Sequence, residues 1–473
     1  MKDSDNKDKK NKRQKPPSQA AKGTQDGRKA NWHEVYATVD DIKAFLDDNA
    51  LLRHNTVTGR IEGHVVERDV WEQVERTVAR GSSQDYEGAL QRVMAADAAR
   101  DSDPWHPITD RDVNTLWARL SEQKAVRKQD LQNVLGSEYV PDFNPFLAYL
   151  DSLPRWGDEQ GDYIMELSLT VSVHGGADEQ MRFYEYLKKW LVAMIAAWVN
   201  PTVVNNVMLV LIGRQGAYKT TWFSYLLPPE LKRYFYTKTD ASRMTKDDLL
   251  VLAHYALVCY EELDTMTARD LNNLKSAMTM QSIDERAPYE RYHDHRPHIA
   301  SFCGTGNSTQ FLSDTTGNRR WLPFEVDSIE SPREHPFNYA GIYAQAYRLY
   351  HEGFQYWFGA REVELLTEHN RRYETPRLEQ ELVAMYFRKP YSGEAGEFLP
   401  VAMAMHIVGA GMTQKLSAVM LGRAFQALGF RKHKSNGIRG YIVVRRSADE
   451  MRSMQQQMSR YGGADRADGA DVF

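Results

Sequence analysis

A lysine and two hydroxyl side chains that close a glycine-bearing loop can bind phosphate, and such a group stands at Lys219-Thr220-Thr221. The loop before it reads Gly213-Arg-Gln-Gly216-Ala217-Tyr218, and the apolar run Val207–Ile212 ahead of the loop has the character of a strand. A helix is expected directly afterwards, from Thr221 to Leu227. Strand, glycine loop and helix in that order turn backbone N–H groups toward an anion. Lys219 would then reach the outer phosphates and the Thr220 hydroxyl would hold Mg²⁺. The general pattern has a glycine just before the lysine. This chain has Tyr218 there, a departure that bears on nucleotide affinity more than on fold. Taken alone, a chance strand, turn and helix carrying a lysine is the competing reading.

Three further groups follow in the order that ATP hydrolysis requires. Tyr255–Tyr260 is an apolar run ending in Glu261-Glu262, where one carboxylate would organise Mg²⁺ and the other would polarise the attacking water. Ile299–Gly306 is a third apolar run, ending in Asn307, whose amide could orient that water against the γ-phosphate. Arg319 and Arg320 sit in a tight turn before the strand Trp321–Val326. An arginine there could stabilise transition-state charge on ATP bound by a neighbouring subunit. A glutamate pair or an arginine pair is common on solvated surfaces. Four such elements in sequence favour an ATPase.

With those residues in place, the chain resembles the virulence-associated protein E family. The resemblance is carried by Asn144–Pro154, Trp190–Met194, Gly213–Thr221, Tyr260–Leu263 and Thr316–Trp321, and it spans about Arg53 to Val326. Members of that family are P-loop ATPases of phages and integrated mobile elements, related to superfamily 3 helicases. The paired glutamates also resemble those of Rep-type helicases. The resemblance implies an α/β fold: a P-loop core of the AAA+ kind with a mainly parallel sheet. It further implies ATP and Mg²⁺ as cofactors, a ring oligomer (a hexamer), DNA in the central channel, and replication of a mobile element, with a primase as a possible companion.

On the same grounds, the stretch Ser282–Pro297 would form a hairpin in the channel. Arg286, Arg291, His293, His295 and Arg296 are its candidate DNA contacts, with Tyr289 and Tyr292 available to stack on bases. Glu285, Glu290 and Asp294 dilute the basic character, and a solvated loop of mixed charge is the rival reading.

The elements that must position these groups follow from the pattern of the chain. Apolar strands alternate with polar helices from Asn206 to Val326, as in an α/β unit with a mainly parallel sheet. Residues 1–31 have the composition of a disordered tail. Residues 32–135 read as a mixed α/β module, with a hairpin at Thr58-Gly59 and a capping start at Thr109 and Asp112. Helical segments at 136–200 and 328–390 flank the core at 201–327, and residues 448–473 form a second tail.

The segment 391–447 has its own signature. From Met412 to Arg446 there is no acidic residue, while Lys415, Arg423, Arg431, Lys432, Lys434, Arg439, Arg445 and Arg446 fall there. Ser417–Leu428 has helical spacing, and Phe430–Val444 reads as a hairpin turning at Asn436-Gly437. Helix plus basic hairpin suits a small winged-helix-like DNA binder, with Arg431, Lys432, Lys434 and Arg439 facing phosphate. An acidic protein partner is the alternative.

Composition sets outer bounds. The formal charge of −4 over 473 residues is close to balance, so any nucleic-acid footprint must be local. Two cysteines, Cys259 and Cys303, both lie in apolar runs. They read as buried hydrophobes rather than metal ligands or a disulfide framework. The apolar stretch Trp190–Val199 is too short to span a bilayer and reads as a core helix. A cytoplasmic protein without membrane contact is expected. Two rivals to the helicase reading remain open: an ATP-driven assembly switch that unwinds nothing, and a DNA-binding scaffold whose loop has lost nucleotide.

Overall fold

The computed structural model describes residues 36–66, 105–239, 246–285, 294–312, 318–375, 378–410, 416–435 and 437–454. The chain divides into two compact units, Met1–Phe143 and Asn144–Phe473.

In the first unit, helix Val39–Asn49 starts at a reciprocal cap. The Thr38 hydroxyl accepts from Asp41 N at 3.2 Å, and the Asp41 carboxylate accepts from Thr38 N at 2.8 Å. Strands β1 (Ala50–Asn55) and β2 (Arg60–Val65) pair antiparallel, across the turn expected at Thr58-Gly59. β3 (His106–Pro107) and β4 (Asp142–Phe143) complete a sheet of order β3-β2-β1-β4. Thr109 and Asp112 cap helix Asp110–Gln123 in the same reciprocal way. The helical spacing of Val113–Leu120 thus belongs to a longer helix, which takes in a polar first turn from Asp110 and runs to Gln123.

The second unit is built on a six-stranded sheet of order β5-β12-β6-β11-β8-β7. Its members in chain order are β5 (Val171–Val173), β6 (Met208–Ile212), β7 (Phe235–Lys238) and β8 (Leu257–Tyr260). After a separate two-stranded hairpin, β9 (Ser282–Glu285) with β10 (Asp294–Pro297), come β11 (Ser301–Gly306) and β12 (Trp321–Ile329). β12, β6, β11, β8 and β7 run parallel, and only the short edge strand β5 is antiparallel. Parallel strands are covered on both faces, which is why Met208–Ile212 is apolar at every position and buried throughout. Met208, Val210 and Ile212 face a core shared with Leu263, Leu271, Phe302 and Trp321.

Helix Ala177–Val199 packs with the sheet: the buried Trp190 indole donates to Phe302 O at 3.0 Å. Further along, Trp198 stacks on Phe146, with ring centroids 4.8 Å apart. This is the core helix expected at Trp190–Val199. Among the described residues, no helix is long and apolar enough to cross a membrane. Cys259 and Cys303 are register partners on β8 and β11, both buried as free thiols, and burial pushes the Cys303 thiol up.

Beyond helices Tyr339–His351 and Ala360–Asn370, a separate core gathers Val383, Phe387, Val408, Leu421, Phe425 and Val443. Its elements are helix Leu378–Tyr386, β13 (Phe387–Arg388), β14 (Glu397–Pro400), helices Val401–Val408 and Ala418–Ala427, β15 (Lys432–Ser435) and β16 (Ile438–Arg445). β16 pairs with β13, β14 and β15. Ser417 caps its helix, and the β15–β16 hairpin passes through Gly437 at φ +82°, close to the expected turn.

Gly304 marks the tightest point of the central sheet. A Cβ there would sit 2.5 Å from Leu263 Cδ1, 2.6 Å from Met208 Cε and 3.1 Å from Tyr260 O. Overpacking of this kind costs about 1–3 kcal/mol. Gly304→Ala should therefore lower the melting temperature in calorimetry. An unchanged transition would mean that Leu263 moves aside freely.

Candidate nucleotide site

The site follows from strand register. Gly306 of β11 lies opposite Ile212 of β6, and Gly304 lies opposite Tyr260 of β8. Because the strands are parallel, the segments after Ile212, Tyr260 and Gly306 all leave the sheet along one edge. In open α/β sheets, ligands bind outside that carboxyl edge. A cleft of about 260 Å³ opens there. Gly216, Ala217, Tyr218, Lys219, Thr220 and Thr221 line it, together with Glu261, Glu262 and Asn307. Gln215 and Thr305, which were not singled out from sequence, also line it.

Gly213 stands behind the lining, where its N–H donates to Gly306 O at 3.1 Å. A Cβ on Gly213 would come 2.9 Å from Val326 Cγ2 and 3.0 Å from Val326 O, so the chain leaves β6 pressed against β12 at Val326. The following helix runs Lys219–Ser224, shorter than the stretch expected to Leu227. It is anchored by the buried Trp222, whose indole donates to Thr170 Oγ1 at 2.8 Å.

Lys219 is 7% exposed. Its Nζ donates to Gly213 O (2.6 Å), Arg214 O (2.8 Å) and Asn307 Oδ1 (3.3 Å), so it ties the loop to the end of β11. Burial holds the Lys219 ammonium below the usual lysine range, and the nearby Asp264 charge works against that shift. Asp264 was not foreseen from sequence. Its Oδ1 accepts from Asn307 N at 3.1 Å and its Oδ2 from Ser308 N at 3.2 Å, which fixes the backbone that carries Asn307.

Two non-glycine residues have left-handed backbone among the described residues, and both belong to this cleft: Tyr218 at φ +58° and Glu262 at φ +54°. Such conformations cost of order 1–3 kcal/mol for a side chain with Cβ, and they gather where a structure must aim groups at a ligand. Tyr218, 49% exposed, thus adopts the backbone that the missing glycine would take without strain. Glu261 and Glu262 directly follow β8 rather than lying on a regular element, and Glu262 caps the 3₁₀ turn Leu263–Thr265.

Arg319 and Arg320 lie outside the cleft. They form the 3₁₀ turn Asn318–Arg320 that enters β12, and Trp321 pairs with Met208, the first residue of β6. The arginines therefore stand at the amino edge of the sheet. At about 3.3 Å per residue, the length of β6 puts them roughly 13 Å or more from the carboxyl edge. Burial holds the half-buried Arg320 below the usual arginine range, and the Arg319 charge adds to that effect.

The candidate DNA residues divide. Arg286, Arg291 and His293, with Tyr289 and Tyr292, lie outside the described residues. His295 is exposed on β10. Arg296 corrects the expectation of a surface contact. It is 7% exposed, with Nη1 2.8 Å from His254 Nε2, because alternation along β10 turns it inward. Arg431, Lys432, Lys434 and Arg439 are all exposed on the β15–β16 hairpin, and Lys434 lies directly opposite Arg439. Like charges so placed disfavour the hairpin unless an anion compensates them. A larger cleft of about 480 Å³ lies away from the strand ends between helices Ala177–Val199 and Ala360–Asn370. Arg182, Lys189, Glu362 and Glu368 are among the charges of both signs that line it. It brings together none of the residues just described, so the smaller cleft is the candidate site.

Residues 155–375 match the description of a virulence-associated protein E-like domain. The chain carries a virulence-associated protein E-like domain. That domain includes the whole cleft, the Arg319-Arg320 turn and the β9–β10 hairpin. No curated protein matches the sequence. Among solved structures, the apo structure of the NrS-1 C-terminal region (305-718) is similar at TM-score 0.44 and 12% identity, covering 85% of this chain and 98% of that one. The A form apo structure of the same region is similar at TM-score 0.40 and 12% identity, with the same coverage.

The backbone at residue 218 generates a test. Tyr218→Gly should leave the melting temperature unchanged or raise it, although it deletes a large side chain. Tyr218→Val should lower it, because a β-branched residue tolerates φ near +58° poorly. Equal losses in both variants would show that the tyrosine ring, not the backbone, is what the fold uses at this position.

Proposed function

We propose that the chain is an ATP hydrolase that works on DNA, a helicase or translocase serving replication of a phage or mobile element. The observation that supports this most is a single one: Lys219, Thr220, Glu261, Glu262 and Asn307 converge on one cleft at the carboxyl edge of the sheet. In this reading the loop from Gly213 to Tyr218 wraps the phosphates. Lys219 exchanges its contacts with Gly213 O and Arg214 O for phosphate oxygens. Thr220 and Glu261 offer the oxygen donors that Mg²⁺ prefers, and the ion when bound neutralises charge on the phosphates. Glu262, aimed by its left-handed backbone, accepts a proton from the attacking water. Asn307, held by Asp264, orients that water. The water oxygen bonds to the γ-phosphorus as the bond to the β-γ bridging oxygen breaks, giving ADP and inorganic phosphate.

A finger from the Arg319-Arg320 turn cannot serve the chain's own cleft, since it stands at the opposite edge of the sheet. It can serve the cleft of a second copy. That argues for a ring oligomer, a hexamer in the family pattern, with sites between subunits and DNA in the channel. The last core, a helix beside an exposed basic hairpin, acts in this reading as a winged-helix-like module that adds phosphate contacts. A primase is a natural companion of such a motor.

Purified full-length protein should hydrolyse ATP with Mg²⁺, faster when single-stranded DNA is added. Lys219→Ala and Glu262→Gln should each lower turnover by roughly 10²-fold or more, as removing a transition-state interaction does. Absence of hydrolysis in the parent protein would sink the proposal. A second measurement addresses the hairpin. Lys432→Ala with Lys434→Ala and Arg439→Ala should weaken DNA binding and make it less sensitive to salt, by about one unit of slope for each phosphate the hairpin no longer neutralises. Binding with an unchanged salt slope would exclude the hairpin as a phosphate-binding element.

A further inference from the structure

Asn370, the last residue of helix Ala360–Asn370, is completely buried. Its Nδ2 donates to Asn318 O at 2.7 Å and to Trp321 O at 2.9 Å, the carbonyls on either side of the Arg319-Arg320 step. Those bonds use both amide protons and fix the amide orientation. Oδ1 is left to accept, and His369 Nδ1 lies 3.1 Å from it. The other ring nitrogen, Nε2, lies 2.6 Å from Glu179 Oε1. Glu179, near the start of helix Ala177–Val199, is itself 5% exposed. Burial would push its carboxyl up, but the hydrogen bond from His369 and the charges of His369, Arg372 and Arg182 hold it below the usual range. Arg182 Nη1 donates to Glu179 Oε2 at 2.6 Å, and Arg372 also binds Oε1. A second tether runs from Asn318 Nδ2 to Glu374 Oε1 at 3.0 Å.

We propose that Glu179, His369 and Asn370 are positioning residues for Arg319 and Arg320, a buried relay that holds the arginine turn in the conformation a second copy's γ-phosphate meets. This rests on the reading of that turn as a finger supplied between copies. The physical case is one of cost. Buried charged and amide groups stabilise a fold poorly compared with apolar side chains of the same volume, whereas the hydrogen bonds from Glu179 through His369 to Asn370 fix one geometry. Here the network ends on the two carbonyls that flank the arginines. Meanwhile neither Arg319 nor Arg320 makes an ion pair among the described residues, although they crowd each other and Arg320 is partly buried. Two adjacent guanidiniums that meet no carboxylate among the described residues, on a turn bonded at both flanks, suit an anion supplied by a second copy. A plain helix–strand contact would need neither feature.

The test is steady-state ATP hydrolysis by the full-length protein with single-stranded DNA, with melting temperatures in parallel. The variants are His369→Leu, Asn370→Ala, the pair Arg319→Ala with Arg320→Ala, and His369→Leu combined with that pair. The arginine pair should lose about 10³-fold in kcat. His369→Leu and Asn370→Ala should each lose tenfold or more in kcat, with KM within twofold. In the arginine-free background His369→Leu should cause no further loss, because the relay acts only through the arginines. An equal loss from His369→Leu in both backgrounds, a loss confined to KM, or unchanged kcat with a lowered melting temperature would each overturn the relay. If His369→Leu does not fold, Glu179→Gln, which keeps shape and removes the charge, takes its place with the same outcomes. Parent protein without hydrolysis, or an arginine-free variant at the parent rate, overturns the finger reading and the relay with it.

Discussion

Backbone hydrogen bonds between β6, β11 and β8 decide where three distant stretches of the chain come to an end. Since these strands are parallel and Ile212 is level with Gly306, the residues that follow each strand emerge together. Everything in the candidate site depends on this register. A slip of one residue would turn Met208, Val210 and Ile212 away from the core they share with Phe302 and Trp321. The hydrophobic pattern therefore holds the register, and the register holds Lys219, Glu261, Glu262 and Asn307 around one cleft. Gly304 and Gly213 belong to the same constraint, because each lets a neighbour approach closer than a Cβ permits.

Onto that frame the chain adds strain and charge at particular points. The left-handed backbone at Tyr218 and Glu262 offsets some stability in exchange for direction, one aiming the loop and the other a carboxylate. Lys219, buried and bound to two loop carbonyls, gives the loop a defined shape without phosphate. Asp264 fixes Asn307 through backbone N–H groups rather than through its side chain. The same division between scaffold and aimed group recurs at the opposite edge, where Asn370 holds the carbonyls around the arginine turn and the guanidiniums find no carboxylate among the described residues.

Much of this was legible in the sequence, for identifiable reasons. Buried parallel strands read as unbroken apolar runs, so Val207–Ile212, Tyr255–Tyr260 and Ile299–Gly306 announced themselves together with the polar residues that end them. Thr109 with Asp112 and the Thr58-Gly59 turn were readable because caps and turns are local chemistry. Asp264 was not, since a carboxylate that binds backbone N–H groups 43 residues away leaves no local pattern. Neither was the Glu179–His369 contact, which joins positions 190 apart. Arg296 misled because a basic residue in a mixed-charge stretch carries no sign of which face of β10 it will occupy. Tyr218 could be seen only as an absent glycine. Its left-handed backbone shows that the loop keeps its shape at a cost in strain.

Equilibrium titration of ATP into the full-length protein by calorimetry, with and without Mg²⁺, tests the central claim most directly. Saturable binding at one site per chain is expected, strengthened by Mg²⁺ and lost in Lys219→Ala. Absence of binding, or binding that Lys219→Ala leaves intact, would contradict the assignment of this cleft to nucleotide.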